Sequence, residues 1–158
     1  MIARISKALN KKDGEQGFTL IELLVVVIII GILAAIAIPV FLNQRKSAVD
    51  ASMKSDLRTV ATAMETYLTQ NNGYPANATD LGPVALSDGN VLTVAVDTGG
   101  AAYTVAATRA TNAQPSSLGT GEAWVYDSDG GGLQSDAGAP VTGGFTVTST
   151  ATAGTPNP

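Results

Sequence analysis

The most restrictive feature of the sequence is a run of 20 residues, Leu23 to Leu42, that contains no charged side chain. As an α-helix this run would be about 30 Å long, which matches the hydrocarbon core of a bilayer. Because the run is apolar all round, it needs lipid or other apolar helices on every side. We therefore expect a transmembrane helix over residues 18–42, with Glu22 as its one acidic residue near the start.

The charges that flank this segment predict its orientation. Residues 1–17 carry four bases and two acids, a net charge of +2. Only Arg45 and Lys46 follow closely on the other side. Under the positive-inside rule the N-terminus should stay in the cytoplasm and the bulk of the chain should lie outside. The sequence thus predicts a single-pass protein of the cytoplasmic (inner) membrane.

An ordinary secretory signal is the alternative interpretation of the same segment. Ala35, Ala37 and Pro39 offer a weak cleavage site of the Ala-x-Ala type. The apolar run is too long for a typical signal core, however, and Glu22 interrupts it near its start. It also leads directly into another predicted helix, which favours a retained segment.

Residues 43–72 have the pattern of an amphipathic helix. Apolar side chains recur at steps of three or four and form one apolar stripe: Val49, Met53, Leu57, Val60, Met64 and Leu68. The charged residues between them are expected to be mostly exposed: Lys46, Asp50, Lys54, Asp56 and Arg58. Asn71-Asn72-Gly73, followed by Pro75, is a helix stop signal. Together with the apolar run, this predicts one long helix over residues 18–72.

Residues 73–148 are predicted to form a β-rich globular head. Short β-like runs occur at Val91–Val96, Ala102–Ala107, Ala123–Tyr126 and Phe145–Thr148. Large apolar residues are few, and a sheet this small is marginal without a helix to complete its core. We expect an α+β fold in which a small antiparallel sheet packs on the apolar stripe. Residues 149–158 are expected to be a flexible tail.

The segment that opens the apolar run carries a recognisable motif. Gly17-Phe18-Thr19-Leu20-Ile21-Glu22 and the residues up to Val26 closely resemble the signature of type IV pilins and type II secretion pseudopilins. The resemblance continues weakly to about residue 75. It implies that residues 1–17 are a leader peptide, that prepilin peptidase cuts between Gly17 and Phe18, and that the new amino group of Phe18 is methylated.

The resemblance also assigns roles inside the helix. It implies that Glu22 of one subunit neutralises the buried Phe18 amine of a neighbour in a filament. On physical grounds, a carboxylate within an apolar helix is costly unless it is paired or lies near the interface. Pro39 lacks an amide proton and Gly31 lowers helix stability. The resemblance implies that the stretch between them can lose helicity in the filament.

Composition argues against catalysis and cofactors. The chain has no cysteine and no histidine, which removes disulfides, thiol nucleophiles and the favoured ligands of zinc. Beyond Thr59 a single base, Arg109, accompanies eight carboxylates, so the head alone is not expected to bind nucleic acid. Asp127, Asp129 and Asp136 are weak calcium candidates, and an acidic turn is the preferred interpretation because an EF-hand pattern is missing.

Three functions remain open from the sequence. The leading one is a non-enzymatic structural subunit of a type IV pilus, serving adhesion, motility or DNA uptake at the cell surface. A type II secretion pseudopilin is the close alternative, and a membrane-anchored binding module that never polymerises is a third. The resemblance implies as partners other copies of the chain, minor pilins, prepilin peptidase, a membrane platform protein and an assembly ATPase, with membrane lipid before assembly.

Overall fold

The structure, a computed structural model, describes residues 17–141 and 143–148. The predicted leader up to residue 16 and the predicted tail lie outside the described residues. Within them the elements are two helices and five strands. They are α1 (Leu20–Asn71), α2 (Ala78–Leu81), β1 (Asn90–Val96), β2 (Tyr103–Arg109), β3 (Trp124–Asp127), β4 (Gly132–Leu133) and β5 (Phe145–Thr148).

Helix α1 has 52 residues and includes Pro39 without ending there. Its most apolar 18-residue window has a mean hydropathy of 3.3 and is not buried within the protein, so its length and composition are sufficient to cross a membrane. The chain divides into two compact units within this helix, after Val40. The first unit contains the apolar run, and the second contains the amphipathic half of α1 and the sheet.

The end of α1 agrees with the predicted stop signal. The amide of Asn72 donates to the carbonyl of Leu68 at 2.8 Å, and Asn72 adopts a positive φ of 55°. Asparagine tolerates this left-handed conformation better than most residues, and it commonly ends a helix this way. The predicted and observed ends therefore differ by one residue.

The five strands form one antiparallel sheet in the order β4-β3-β2-β1-β5. Alternate residues of β1 are buried, and the apolar ones among them, Leu92 and Val94, have apolar cross-strand partners. Val94 lies opposite both Val105 of β2 and Phe145 of β5, while Leu92 lies opposite Ala107 and Val147. This register brings the large apolar side chains of every long strand to one face.

The apolar stripe of α1 and this face of the sheet form the hydrophobic core. Four residues of the stripe are fully buried: Met53, Leu57, Val60 and Met64. Val49 is partly buried and packs against this core. Their partners on the sheet include Leu92, Val94, Tyr103, Val105 and Val147. The predicted α+β architecture is confirmed: one long N-terminal helix carries a small antiparallel sheet on its C-terminal half.

Two acidic residues of α1 contradict the sequence expectation. Asp50 and Asp56 were expected to be mostly exposed, but they are 8% and 5% exposed. Asp56 accepts hydrogen bonds from the Ser87 amide at 2.9 Å, the Ser87 hydroxyl at 3.1 Å and the Asn90 side-chain amide at 2.6 Å. Asp50 accepts one from the Ser117 amide at 3.0 Å. Both carboxylates therefore hold loops of the head against the helix, which satisfies their buried oxygens.

Helix α2 and strand β4 are short elements that the sequence patterns did not predict. In α2 the side chain of Asn77 caps the helix by accepting from the Asp80 amide at 3.0 Å. The last strand depends on glycine, because Gly144 has a φ of 77° and a Cβ there would overlap the Val94 carbonyl oxygen. Gly144 therefore allows the chain to approach β1 closely enough for β5 to pair with it.

Tyr103 occupies the centre of an aromatic group in the core. The centre of its ring lies 4.8 Å from that of Tyr74, which it meets edge-on, and 6.1 Å from that of Tyr126, on which it stacks. The Tyr103 hydroxyl donates a hydrogen bond to the Ala61 carbonyl at 3.3 Å. Burial, assisted by the nearby Glu65 carboxylate, raises the pKa of Tyr103 well above its usual value. The same two causes raise the pKa of Tyr74, whose hydroxyl donates to Glu65.

We expect the stability of the head to fall as the pH rises above about 10, the pKa of an unfolded tyrosine. Below that pH the phenol of Tyr103 is protonated in both states, so its contribution is fully present. Above it the unfolded chain loses a proton that the folded chain retains, and unfolding becomes more favourable. In Tyr103→Phe, denaturant midpoints measured between about pH 9 and pH 11.5 should decline less steeply. An equally steep decline would contradict this assignment.

Candidate functional site

The candidate site begins where the chain enters α1. Gly17, Phe18 and Thr19 precede the first helical residue, Leu20, and all are exposed. The Phe18 side chain is 82% exposed. A Cβ built on Gly17 would meet no atom within 4 Å. The Gly17–Phe18 peptide bond therefore lies in accessible chain outside the helix.

Thr19 and Glu22 form a capping box at the N-terminus of α1. The amide and the hydroxyl of Thr19 donate to Oε2 of Glu22 at 2.8 and 2.6 Å. In return the Glu22 amide donates to the Thr19 hydroxyl oxygen at 3.3 Å. This reciprocal arrangement satisfies amide groups that the first turn of a helix leaves without partners.

The capping box gives Glu22 a fixed position on the helix. Both bonds from Thr19 end on Oε2, so Oε1 accepts no hydrogen bond from the described residues. The carboxylate also lies in the first turn, where the helix dipole stabilises a negative charge. Oε2 of Glu22 can therefore accept the hydrogen bonds of its own helix while Oε1 binds an external cation.

The rest of this unit has an exposed apolar surface. The large apolar side chains from Leu23 to Leu42 are each at least 46% exposed, and they point in all directions around the helix. Gly31 and Pro39 both lie inside continuous helix in this single chain. The predicted loss of helicity concerns the assembled filament and stays a prediction.

The acidic residues considered for calcium do not form a site. Among residues 17–141 and 143–148, no cluster of three or more carboxylates could hold a metal ion. Asp127 Oδ1 instead accepts the amide of Asp129 at 3.1 Å, and Asp136 accepts the hydroxyl of Ser135 at 3.1 Å. Asp127 and Asp136 thus accept hydrogen bonds from groups of their own loops.

Thr19 is the functional residue that the sequence interpretation missed. The motif Thr19-Leu20-Ile21-Glu22 fits the Ser/Thr-x-x-Glu pattern of a capping box placed before an apolar run. That signal was available in the sequence.

Comparisons with known proteins identify the same segment. The family model described as the prokaryotic N-terminal methylation motif matches residues 12–38. The type II secretion system core protein G of Pseudomonas aeruginosa is 38% identical over 66 residues, 42% of this chain and 46% of that protein.

Two pilus proteins are similar over comparable lengths. The type IV major pilin protein PilA of Myxococcus xanthus is 42% identical over 68 residues, 43% of this chain and 31% of that protein. The type IV wide pilus major component PilA4 of Thermus thermophilus is 45% identical over 64 residues, 40% of this chain and 49% of that protein. The chain thus spans about half the length, or less, of these curated relatives. The N-terminal part of the chain, which carries the matched motif, is thus similar to both type IV pilins and type II secretion pseudopilins.

Proposed function

We propose that this chain is a structural subunit of a type IV pilus, processed by prepilin peptidase and assembled through its apolar N-terminal helix. The observation that carries the proposal is the capped Glu22 at the start of an exposed apolar helix surface. A surface of this kind is stable in lipid or in a bundle of like helices. A pilin meets the first environment in the membrane before assembly and the second in the filament.

Membrane lipid surrounds residues 18–42 before assembly in this proposal, and copies of the same helix replace the lipid in the filament. Moving an apolar helix between two apolar surroundings yields little hydrophobic free energy. Extraction therefore requires external work, which a membrane platform protein and an assembly ATPase supply. Minor pilins complete the set of proposed partners.

Glu22 supplies the register of assembly in this proposal. Cleavage after Gly17 converts the peptide nitrogen of Phe18 into a charged amine, and methylation retains the charge. Inside a bundle of apolar helices, such an amine needs an anion. Oε1 of Glu22 from a neighbouring copy meets that need, while Oε2 remains in the capping box with Thr19.

Mass spectrometry of material sheared from the cell surface tests the proposal. We expect a chain that begins at N-methylated Phe18, which requires processing and export together. The matched control is Gly17→Val, which should keep the leader and be absent from the sheared material. Because Gly17 has no neighbouring atom within 4 Å of an added Cβ, this change should not disturb the folded chain. An intact leader on the native protein, or a cut near Pro39, would overturn the proposal.

A type II secretion pseudopilin remains the second candidate function. The relatives named type II secretion system core protein G favour it, since they match the chain over lengths similar to the pilus proteins. A chain that is processed at Phe18 but found only in membranes would favour this candidate. A membrane-anchored binding module would instead retain the leader in the membrane fraction.

A further inference from the structure

The outward surface of α1 at the start of the second unit carries only positive charge. Arg45, Lys46 and Arg58 are exposed. The acids of the same stretch, Asp50 and Asp56, are turned into the head and bound to its loops. Burial of these two carboxylates therefore leaves the helix surface between residues 45 and 58 cationic, although the sequence there is mixed in charge.

Arg45 and Lys54 contact uncharged groups of the described chain. Arg45 donates to the neutral side chain of Gln114 at 2.8 Å and lies over the Phe41 ring. Lys54 lies 3.4 Å from the centre of the Trp124 ring, a cation–π contact. Lys46 is exposed and makes no hydrogen bond to the described residues. The positive charge at this end thus remains available to another molecule.

Two exposed acids, Asp97 and Asp129, lie in turns at the opposite end of the head. Strand β1 ends at Val96 beside Tyr103, and the Thr104 of β2 pairs with Asp127 of β3. The β1–β2 turn with Asp97 and the β3–β4 turn with Asp129 therefore lie at the same end of the sheet. We call these two turns, residues 97–102 and 128–131, the acidic turns.

Contacts with α1 show which end of the helix each end of the sheet faces. At the far end from the acidic turns, Asn90 donates to Asp56, and Gln114 accepts from Arg45. At the near end, Tyr103 donates to the Ala61 carbonyl. Gly131 of the β3–β4 turn and Glu65 of α1 line the same groove, which has a volume of about 530 Å³. The 20 residues from Arg45 to Glu65 span about 30 Å of helix, so the charges are separated along its axis.

The separation is incomplete, because two exposed acids lie toward the cationic end and one base lies beside an acidic turn. Arg58 lies in the groove beside the β3–β4 turn. Asp88 and Glu122 lie toward the cationic end: the Asp88 carbonyl accepts from Arg109, and the Glu122 carboxylate is bound to the Gly119 amide at 2.6 Å. The single base among residues 76–148, Arg109, is occupied by the Asp88 and Gln114 carbonyls and by the Asn90 side chain.

We propose that the acidic turns of one copy dock on the cationic surface around Arg45 and Lys46 of the next copy. Opposite charges at the two ends of one molecule make a head-to-tail contact, and such contacts repeat into open filaments instead of closed dimers. The contact rests on the proposed function, since it requires that the chain polymerises. It assigns the head a part in assembly: electrostatic complementarity selects the neighbour and the register, while the apolar helices bury surface.

Charge reversal at two exposed positions tests this contact. Lys46 and Asp129 are both exposed, and neither side chain forms a hydrogen bond to the described residues, so Lys46→Glu and Asp129→Lys should not alter the fold. Each single change should reduce the amount of sheared filament by roughly fivefold, because like charges would meet at the contact. Combining the two changes in one chain restores opposite charges and should recover at least about half of the filaments.

The matched control is Asp88→Lys, an exposed residue toward the cationic end that undergoes the same change in charge as Asp129→Lys. It should leave filament yield within about twofold of wild type. Wild-type filaments should also dissociate faster in about 0.5 M salt than in about 0.05 M salt, since the Debye length shortens severalfold.

The outcomes separate this inference from the proposed function. Wild-type chains that are processed but never form filaments would overturn the proposed function, and the contact with it. Normal wild-type filaments, together with normal yields from both single variants or no recovery in the double variant, would overturn the contact alone.

Discussion

Replacing Glu22 with alanine should abolish filaments while leaving removal of the leader intact. In a bundle of apolar helices the charged amine of Phe18 would then have no anion, at a cost of several kcal/mol per subunit. That cost corresponds to a loss of at least about a hundredfold in assembly. The measurement is the amount of sheared filament per processed chain, with mass spectrometry confirming that the chain still begins at Phe18.

Two further variants separate the charge of Glu22 from its role in the capping box. Glu22→Gln keeps a side chain that can cap the helix but removes the charge, so it should be as defective as the alanine variant. Thr19→Ala removes both hydrogen bonds to Oε2 but keeps the charge, and should have a milder effect. Abundant normal filaments from Glu22→Ala would refute the pairing role. A wild-type amount of filament from Glu22→Gln would show that Glu22 acts in capping alone.

Asp56→Ala should destabilise the head by about 3 kcal/mol. The change leaves three buried donors without an acceptor: the Ser87 amide, the Ser87 hydroxyl and the Asn90 side chain. It also disturbs Arg109, which donates to the oxygen of the same Asn90 side chain. Truncation of a buried acceptor costs more than the net worth of its hydrogen bonds, because the remaining donors have also lost water.

The full chain in detergent micelles provides the measurement for Asp56. Trp124 is the sole tryptophan and packs partly buried against the core, so its fluorescence should report unfolding of the head in denaturant. Asp88→Ala is the control, since Asp88 is exposed and only its backbone carbonyl has a partner among the described residues. Equal midpoints for the two variants would show that the buried network contributes no stability.

Much of the fold could be predicted because apolar periodicity governs it. The apolar stripe of α1 and the four longer strands were all visible as patterns, and the buried residues Leu57, Val94 and Val105 are among those that the patterns selected. Strand β4 has two residues, too few for any pattern, and it forms only because β3 offers a partner. Its existence depends on tertiary contacts that local sequence does not encode.

The buried acids could not be predicted for a different reason. Asp50 and Asp56 flank the apolar stripe, and an aspartate in that position is exposed unless the opposite surface supplies donors. Those donors come from Ser87, Asn90 and Ser117, which are 31 or more residues away in the chain. At the start of α1, by contrast, Glu22 and its partner Thr19 are three residues apart, so the capping box was predictable in principle.

The shared core also dictates the order in which the protein can fold during synthesis. Helix α1 leaves the ribosome before the strands, and β5, which pairs with β1, is the last of the described strands to emerge. Until β5 arrives, Leu57 and Val60 lack part of the surface that buries them, since Val147 lies about 90 residues later. A nascent chain released early would expose an amphipathic helix and unpaired strands, the features that promote aggregation. Folding of the head is therefore completed only after β5 has left the ribosome, and any protection that the cell provides must last until then.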